Sequence, residues 1–122
     1  MANILIIDDN QSLRASYTAF LRQAGHTTAE ASSVDEALAY VAANTPDIVL
    51  LDMLLPRRNG LEFLQQYDVV NTHPNVKVIA FSNLTEPMIE QEARRLGIKM
   101  YVKKSAMTPD DLENTIQSVL ST

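Results

Sequence analysis

The chain lacks cysteine and is poor in glycine and in basic residues, and each shortage excludes a class of protein. With no cysteine among 122 residues, disulfide bonds and thiolate metal sites are excluded. The three glycines, Gly25, Gly60 and Gly97, stand at predicted helix ends or turns, so no glycine-rich loop is available to cradle a nucleotide phosphate. The formal net charge of -5 argues against direct binding of nucleic acid.

Long hydrophobic runs are also missing. The amino-terminal apolar stretch, residues 4–7, is stopped by two aspartates, which makes it too short for a signal peptide or a membrane span. We therefore expect a cytoplasmic protein without a membrane segment. Hydrophobic residues still make up 46% of the chain, enough for residues 1–122 to fold as one domain with its own core.

Strand-like and helix-like segments alternate five times along the chain. The predicted strands are residues 4–7, 27–31, 47–52, 76–81 and 99–102. Each is followed by a helical pattern with a start signal, the signals being Asn10 or Ser12, the capping-box pattern of residues 33–36, Asn59-Gly60, Thr85-Glu86-Pro87, and Thr108-Pro109. This alternation predicts an α/β fold, a doubly wound (βα)5 domain with a five-stranded parallel sheet and helices on both faces.

Polar side chains follow four of the five predicted strands. Asp52 ends an apolar run that reads as a strand buried on both faces, and Asp8-Asp9 end the first strand in the same way. Ser82 follows the fourth strand and Lys104 the fifth. Because ligands bind at the carboxyl ends of strands in open α/β sheets, these side chains predict one working site.

The chemistry of these residue types fits phosphoryl transfer. Three carboxylates about 5 Å apart repel one another by about 3 kcal/mol per pair at an effective dielectric of about 20, so the cluster needs a cation. Oxygen ligands in that number favour Mg²⁺. A lysine and a hydroxyl supply the positioning and the charge neutralisation that a phosphoryl group requires, and aspartate is a known covalent acceptor of phosphate.

In this order, at consecutive strand ends, the residues resemble the receiver domain of two-component response regulators over essentially the whole chain. The matching positions are Asp8-Asp9, Asp52, Ser82 and residues 101–104. The resemblance implies a flavodoxin-like sheet of order 2-1-3-4-5. It also implies a phosphoacceptor signalling domain that receives its phosphoryl group from a histidine kinase or a phosphotransfer protein. Such a domain catalyses only its own phosphoryl transfer and hydrolysis.

The resemblance also implies a role for each acidic residue and for one backbone carbonyl. Asp52 resembles the phosphoacceptor. Asp9 would bind Mg²⁺ directly, Asp8 would bind it mainly through water, and the backbone carbonyl of Leu54 would complete the protein ligands.

Three further residues resemble the switch of the family. Ser82 resembles the hydroxyl that binds the new phosphoryl group, and Tyr101 resembles the aromatic side chain whose rotamer follows. The aromatic-x-x-lysine spacing selects Lys104 over Lys103 as the phosphoryl-binding lysine. The output surface would be the fourth helix, fifth strand and fifth helix, which would contact a downstream protein or a second copy of the chain.

Simpler interpretations remain open for the same residues. Asp8 and Asp9 could instead cap a helix, and Asp52 taken alone could be an ordinary loop residue. Ser82 could be a turn residue, and Tyr101 could simply fill the core. A receiver-like interaction domain that is never phosphorylated is the main alternative function.

The remaining polar residues of interest lie in predicted loops. We expect Arg57 and Arg58 to lie in a solvated loop. The alternative is that they guide a phosphodonor to the site. His26 and His73 are expected in surface loops without a specific role.

Four positions depart from the family pattern. Ser105 stands where a proline usually follows the lysine, which places the pose of Lys104 in question. Asn83 replaces a small residue and is expected to narrow access to the phosphoryl site. Leu54 and Leu84 are apolar where many relatives are polar, which predicts a long-lived phosphorylated state.

Overall fold

A five-stranded parallel sheet forms the centre of the molecule, in a computed structural model that describes residues 2–84 and 86–121. The strands are β1 (Asn3–Ile7), β2 (Thr27–Ala31), β3 (Ile48–Leu51), β4 (Lys77–Phe81) and β5 (Met100–Val102). Their order is β2-β1-β3-β4-β5, as predicted. Ile7 is paired with Leu51 at the last step of the β1–β3 register, so the residues that follow both strands emerge side by side.

Five main helices connect and cover the strands. They are α1 (Gln11–Gln23), α2 (Val34–Ala43), α3 (Gly60–Gln66), α4 (Pro87–Arg95) and α5 (Pro109–Leu120). A helical turn that the sequence did not predict, Val69–Thr72, follows α3, and a 3₁₀ turn, Lys104–Ala106, follows β5. The β-branched residues of Val69–Thr72 favour helix only weakly, but the Asp68 side chain caps the turn by accepting from the Asn71 N–H.

Side-chain caps fix where most helices begin. Asn10, and not Ser12, caps α1, and reciprocal capping boxes open α3 and α5. At α2 only one of the two bonds of the predicted capping box forms. The Ser33 side chain accepts from the Glu36 N–H, but the Glu36 carboxylate accepts from Ser32 instead of from the Ser33 N–H.

The start of α4 differs from the other helix starts. It begins with Pro87 in the first turn and without a side-chain cap at Glu86. The predicted start signal also includes Thr85, which lies outside the described residues.

Two apolar cores, one on each face of the sheet, hold the helices in place. Strand β3 contributes to both, because Val49 and Leu51 pack toward α2, α3 and α4 while Ile48 and Leu50 pack toward α1 and α5. All four side chains are at most 1% exposed, and full burial of each stabilises the fold by about 1.5–3 kcal/mol. The centre of the sheet is therefore a rigid support for the residues at its edge.

One of the two histidines, His26, does not lie at the surface where the sequence placed it. His26 is only 4% exposed: Nδ1 accepts from the Ala2 N–H at 3.2 Å, and Nε2 donates to Glu113 Oε1 at 2.8 Å. The prediction of a surface loop for His26 was wrong because its partners, Ala2 just before β1 and Glu113 in α5, are distant in sequence. His73 is half-buried, and its ring lies 4.9 Å from that of Tyr67.

Within residues 2–84 and 86–121, no helix is both long and apolar enough to cross a membrane. The cytoplasmic location expected from the sequence stays a prediction.

Candidate metal and phosphoryl site

The parallel pairing of β1 and β3 brings three aspartates together at the carboxyl edge of the sheet. The Asp52 N–H donates to the Ile7 carbonyl at 3.0 Å, which continues the strand pairing up to the acidic residues. Carboxylate oxygens of Asp8, Asp9 and Asp52 lie within 4.8 Å of one another. Asp8 and Asp52 are buried, whereas Asp9 is exposed, so the cluster is open to solvent on one side.

The backbone around Asp8 is held from two directions. Asp8 Oδ1 accepts from the Asn10 N–H at 2.9 Å, just before the first turn of α1. The Asp8 carbonyl accepts from Arg14 Nη1 at 2.6 Å, and Arg14 Nε also pairs with Glu30 at 2.7 Å. Arg14 carries no sequence signal for this role, because its helical position alone does not indicate that its partner is a backbone carbonyl.

Both carboxylate oxygens of Asp52 have hydrogen-bond donors. Oδ1 accepts from the Leu54 N–H at 3.0 Å and from Ser82 Oγ at 2.8 Å. Oδ2 accepts from Lys104 Nζ at 3.0 Å. A carboxylate oxygen has two lone pairs, so Oδ1 is fully engaged and Oδ2 retains one lone pair.

Lys104 links the two buried aspartates. Its ammonium also donates to Asp8 Oδ2 at 2.6 Å, while Lys103 is exposed. Burial by itself lowers the pKa of Lys104, but the hydrogen bonds and charges of Asp8 and Asp52 outweigh that effect, and the pKa lies above its ordinary value of 10.5. The lysine is therefore a permanent cation at neutral pH.

Ser82 and Tyr101 both form hydrogen bonds with the backbone of Leu84. Ser82 is 0% exposed, and its Oγ accepts from the Leu84 N–H at 3.2 Å. The Tyr101 hydroxyl donates to the Leu84 carbonyl at 2.5 Å. Burial raises the pKa of Tyr101, so the phenol stays a neutral donor. A continuous set of contacts thus runs from Asp52 through Ser82 and Leu84 to Tyr101.

A cavity of about 490 Å³ opens above these groups. Its floor is polar and its rim is partly apolar, and the apolar lining residues are Leu13, Leu54, Leu55, Pro56 and Leu84. Leu54 is 65% exposed and Leu13 is 40% exposed. Leu13 is exposed because the first turn of α1 lies at the mouth of the cavity.

The donor set fits Mg²⁺. Three carboxylates and one ammonium leave a net charge of -2 on these side chains, and carboxylate oxygen is the ligand type that this ion prefers. Among the described residues, Asp8, Asp9 and Asp52 form the one cluster of three acidic or histidine side chains close enough to hold a metal ion. Leu54 lines the cavity, and the role of its carbonyl as a ligand stays a prediction.

The loop after β5 keeps Lys104 in the cavity even though serine follows it. In the described part of the chain every peptide bond is trans, and the Lys104–Ala106 segment forms a 3₁₀ turn. The Ser105 N–H donates to Asn83 Oδ1 at 2.8 Å. A proline at this position would have no N–H to donate to Asn83, so Ser105 gives the loop a contact that proline could not make. The Lys104 ammonium nevertheless stays beside the carboxylates.

The two arginines of the loop after β3 differ from each other. Arg58 pairs with Asp35 at 2.7 Å and with Glu62 at 3.1 Å, so its guanidinium joins α2 to α3. Arg57 is exposed and has a positive φ of 68°, a conformation that is uncommon outside glycine. Arg57 thus lies in a solvated loop, as expected, and its role as a guide for a phosphodonor stays a prediction.

Comparisons with known proteins agree on one family. Residues 4–117 match the model of the response regulator receiver domain. The chain is 30% identical to sporulation initiation phosphotransferase F of Bacillus subtilis, over 96% of this chain and 92% of that protein. It is 30% identical to the response regulator UvrY of Escherichia coli, over 99% of this chain but only 55% of UvrY.

The fold has close counterparts among solved structures. The chemotaxis protein CheY4 of Vibrio cholerae superimposes with a TM-score of 0.89 at 28% identity, over 98% of this chain and 99% of that one.

Proposed function

The chain belongs to the family of response regulator receiver domains, and we propose that Asp52 is its phosphoacceptor. It is a phosphoacceptor signalling domain of a two-component system. One observation carries the assignment of Asp52: its carboxylate contacts both Ser82 and Lys104 and lies in the same cluster as Asp8 and Asp9. No other described carboxylate has these neighbours.

The contacts suggest how each side chain acts. Asp52 Oδ2, with its remaining lone pair, attacks phosphorus; the O–P bond forms as the P–N bond to the donor histidine breaks, and the imidazole leaves with the electron pair. Lys104 and Ser82 then donate to the phosphoryl oxygens instead of to the carboxylate. Bound Mg²⁺, held by Asp8, Asp9, Asp52 and the Leu54 carbonyl, would neutralise charge on the phosphoryl group.

The partners follow from the family. Receiver domains interact with histidine kinases and with phosphotransfer proteins, and one of these classes is the proposed donor for this chain. The proposed output is the surface formed by α4, β5 and α5, which would bind a downstream protein or a second copy of the chain. Hydrolysis of the aspartyl phosphate by the domain itself would end the signal.

The assignment is tested with acetyl phosphate and Mg²⁺, followed by intact mass measurement. We expect one added phosphoryl group on the parent protein and none on Asp52→Asn. Asp47→Asn is a matched control, because Asp47 stands at the opposite end of β3, where its carboxylate accepts from the Asn3 N–H; this variant should be labelled like the parent.

Two outcomes would contradict the proposal. Undiminished labelling of Asp52→Asn would move the acceptor to another residue. A folded parent protein that binds Mg²⁺ but takes up no phosphoryl group would favour the phosphorylation-independent interaction domain.

A further inference from the structure

The residues directly after Ser82 and Lys104 are hydrogen-bonded to each other. The regular β4–β5 pairing ends at Phe81 and Val102. Two backbone bonds extend it, from the Ser82 N–H to the Val102 carbonyl at 3.1 Å and from the Lys104 N–H to the Ser82 carbonyl at 3.3 Å. The next link is the bond from the Ser105 N–H to Asn83 Oδ1, at 2.8 Å. A side chain thus continues the connection between the two loops where the backbone ladder stops.

The local geometry explains why a side chain is needed there. The chain turns at Lys104 into a 3₁₀ turn, and the first N–H groups of a helical turn have no partner inside it. The Ala106 and Met107 N–H groups close the turn by donating to the carbonyls of Lys103 and Lys104. The Ser105 N–H points instead to the Asn83 amide oxygen, which caps the turn from the neighbouring loop.

We propose that Asn83 is a positioning residue for phosphoryl transfer: through the Ser105 N–H it fixes the turn from which the Lys104 side chain reaches Asp52. This inference rests on the proposed function. Asn83 acts through Lys104 and is not itself a catalytic residue.

The bond matters because the lysine side chain is long and flexible. In the structure, ion pairs with Asp8 and Asp52 hold the ammonium in place. When the phosphoryl group arrives, Lys104 must leave the carboxylate for a phosphoryl oxygen, and the position of its backbone then decides where the ammonium reaches. The direct backbone bond between the two loops is long, at 3.3 Å, so the shorter Asn83 bond is the firmer attachment.

The test compares two alanine substitutions, only one of which removes the hydrogen bond between Asn83 and the Ser105 N–H. Asn83→Ala removes the acceptor, whereas Ser105→Ala keeps the donating N–H and removes only the hydroxyl. With acetyl phosphate and Mg²⁺, the initial rate of phosphorylation should fall about fivefold in Asn83→Ala, the loss expected for one hydrogen bond, and should equal that of the parent in Ser105→Ala. Hydrogen exchange of the Ser105 amide should be faster in Asn83→Ala, and Asn83→Asp, which retains an acceptor oxygen, should slow it again.

A second background separates positioning from general loosening of the loop. In Lys104→Ala, adding Asn83→Ala should cause no further loss of rate, because the lysine through which Asn83 acts is gone. A further fivefold loss in that background would overturn the proposal. So would faster phosphorylation of Asn83→Ala, which would mean that Asn83 mainly covers the cavity.

The failures of the two proposals are distinguishable. If the parent is labelled at Asp52 and Asn83→Ala is labelled at the same rate, only the role of Asn83 is wrong. If the parent takes up no phosphoryl group, or if Asp52→Asn is labelled as well as the parent, the assignment of the site is wrong and the role of Asn83 fails with it.

Discussion

Lys104 is the one positively charged side chain among the described residues that line the cavity. It is 9% exposed, and its two partners, Asp8 and Asp52, are 3% and 9% exposed. Loss of one partner from a buried ion pair leaves charges without compensation. In the absence of Mg²⁺, the lysine is therefore the group that makes two adjacent buried carboxylates tolerable.

This arrangement predicts that Lys104→Met lowers the free energy of unfolding by about 3 kcal/mol in metal-free buffer. Folding raises the pKa of Lys104 above 10.5, so its contribution is fully present below the unfolded pKa and is lost as the pH rises through the folded pKa. The stability gap between parent and variant, measured by denaturant unfolding, should be constant at neutral pH and should close at strongly alkaline pH. Lys103→Met, at an exposed neighbour, should show no gap, and a gap independent of pH would contradict the ion-pair explanation.

Leu54 and Leu84 line the cavity with side chains that cannot orient a water molecule. Hydrolysis of an aspartyl phosphate needs a positioned water, so we predict a long-lived phosphorylated state. The double substitution Leu54→Asn with Leu84→Glu should shorten the half-life, measured as phosphate release from purified phosphoprotein in Mg²⁺. Val70→Asn, at an exposed apolar residue that does not line the cavity, should leave it unchanged. Equal half-lives for the parent and the double variant would show that these leucines do not limit hydrolysis.

At the scale of elements, the loop from β4 to α4 connects the site to the proposed output surface. Ser82 is already buried and bonded to Asp52, so phosphorylation should change its partner from the carboxylate to a phosphoryl oxygen. The Leu84 N–H is bonded to Ser82, and the Leu84 carbonyl is bonded to Tyr101. We therefore expect a shift of Ser82 to weaken the bond between the Tyr101 hydroxyl and the Leu84 carbonyl.

We predict that a phosphoryl mimic turns Tyr101 inward and changes the environment of α4, β5 and α5. Such a population shift requires different contacts in the two states, here the bonds of Ser82 and Lys104 to phosphate. Amide chemical shifts should change along β5 and in α4, as well as around Asp52. The same mimic added to Ser82→Ala should give changes near Asp52 without those in α4. Shifts confined to the Asp52 loop of the parent protein would rule out this relay.

Local sequence patterns predicted most helices and strands, but they could not predict contacts between residues far apart in the sequence. The run of apolar residues in β3 identified a buried strand, and parallel topology alone then placed Asp8, Asp52 and Lys104 at one edge. The burial of His26 depends on Glu113, 87 residues away. The contact between Asn83 and Ser105 joins two positions that the sequence flagged separately as unusual. Neither contact has a periodic signal, so neither could be predicted before the strands were arranged.

At the scale of the whole molecule, Mg²⁺ should stabilise the fold by binding the native state alone. A ligand present at about 100 times its dissociation constant adds about 2.7 kcal/mol to the free energy of unfolding. Thermal unfolding should therefore shift upward with added MgCl₂ and return after EDTA. The shift should be much smaller in Asp9→Asn, which removes one predicted ligand, and unaltered in Asp47→Asn. A stability that does not respond to the metal would argue against the assigned ligands.

The environment of His26 has a topological consequence. Ala2 and Leu120 line the same cavity as His26, and the Ala2 N–H is bonded to the imidazole, so the start of β1 and the end of α5 lie near each other at the amino edge of the sheet. The described backbone therefore returns close to where it starts, and Asp52 lies at the opposite edge of the sheet. The described domain is therefore suited to circular permutation, with a short bridge joining the region of Leu120 to that of Ala2 and a new opening in the exposed turn at Pro74 and Asn75, a rearrangement that compact domains often tolerate.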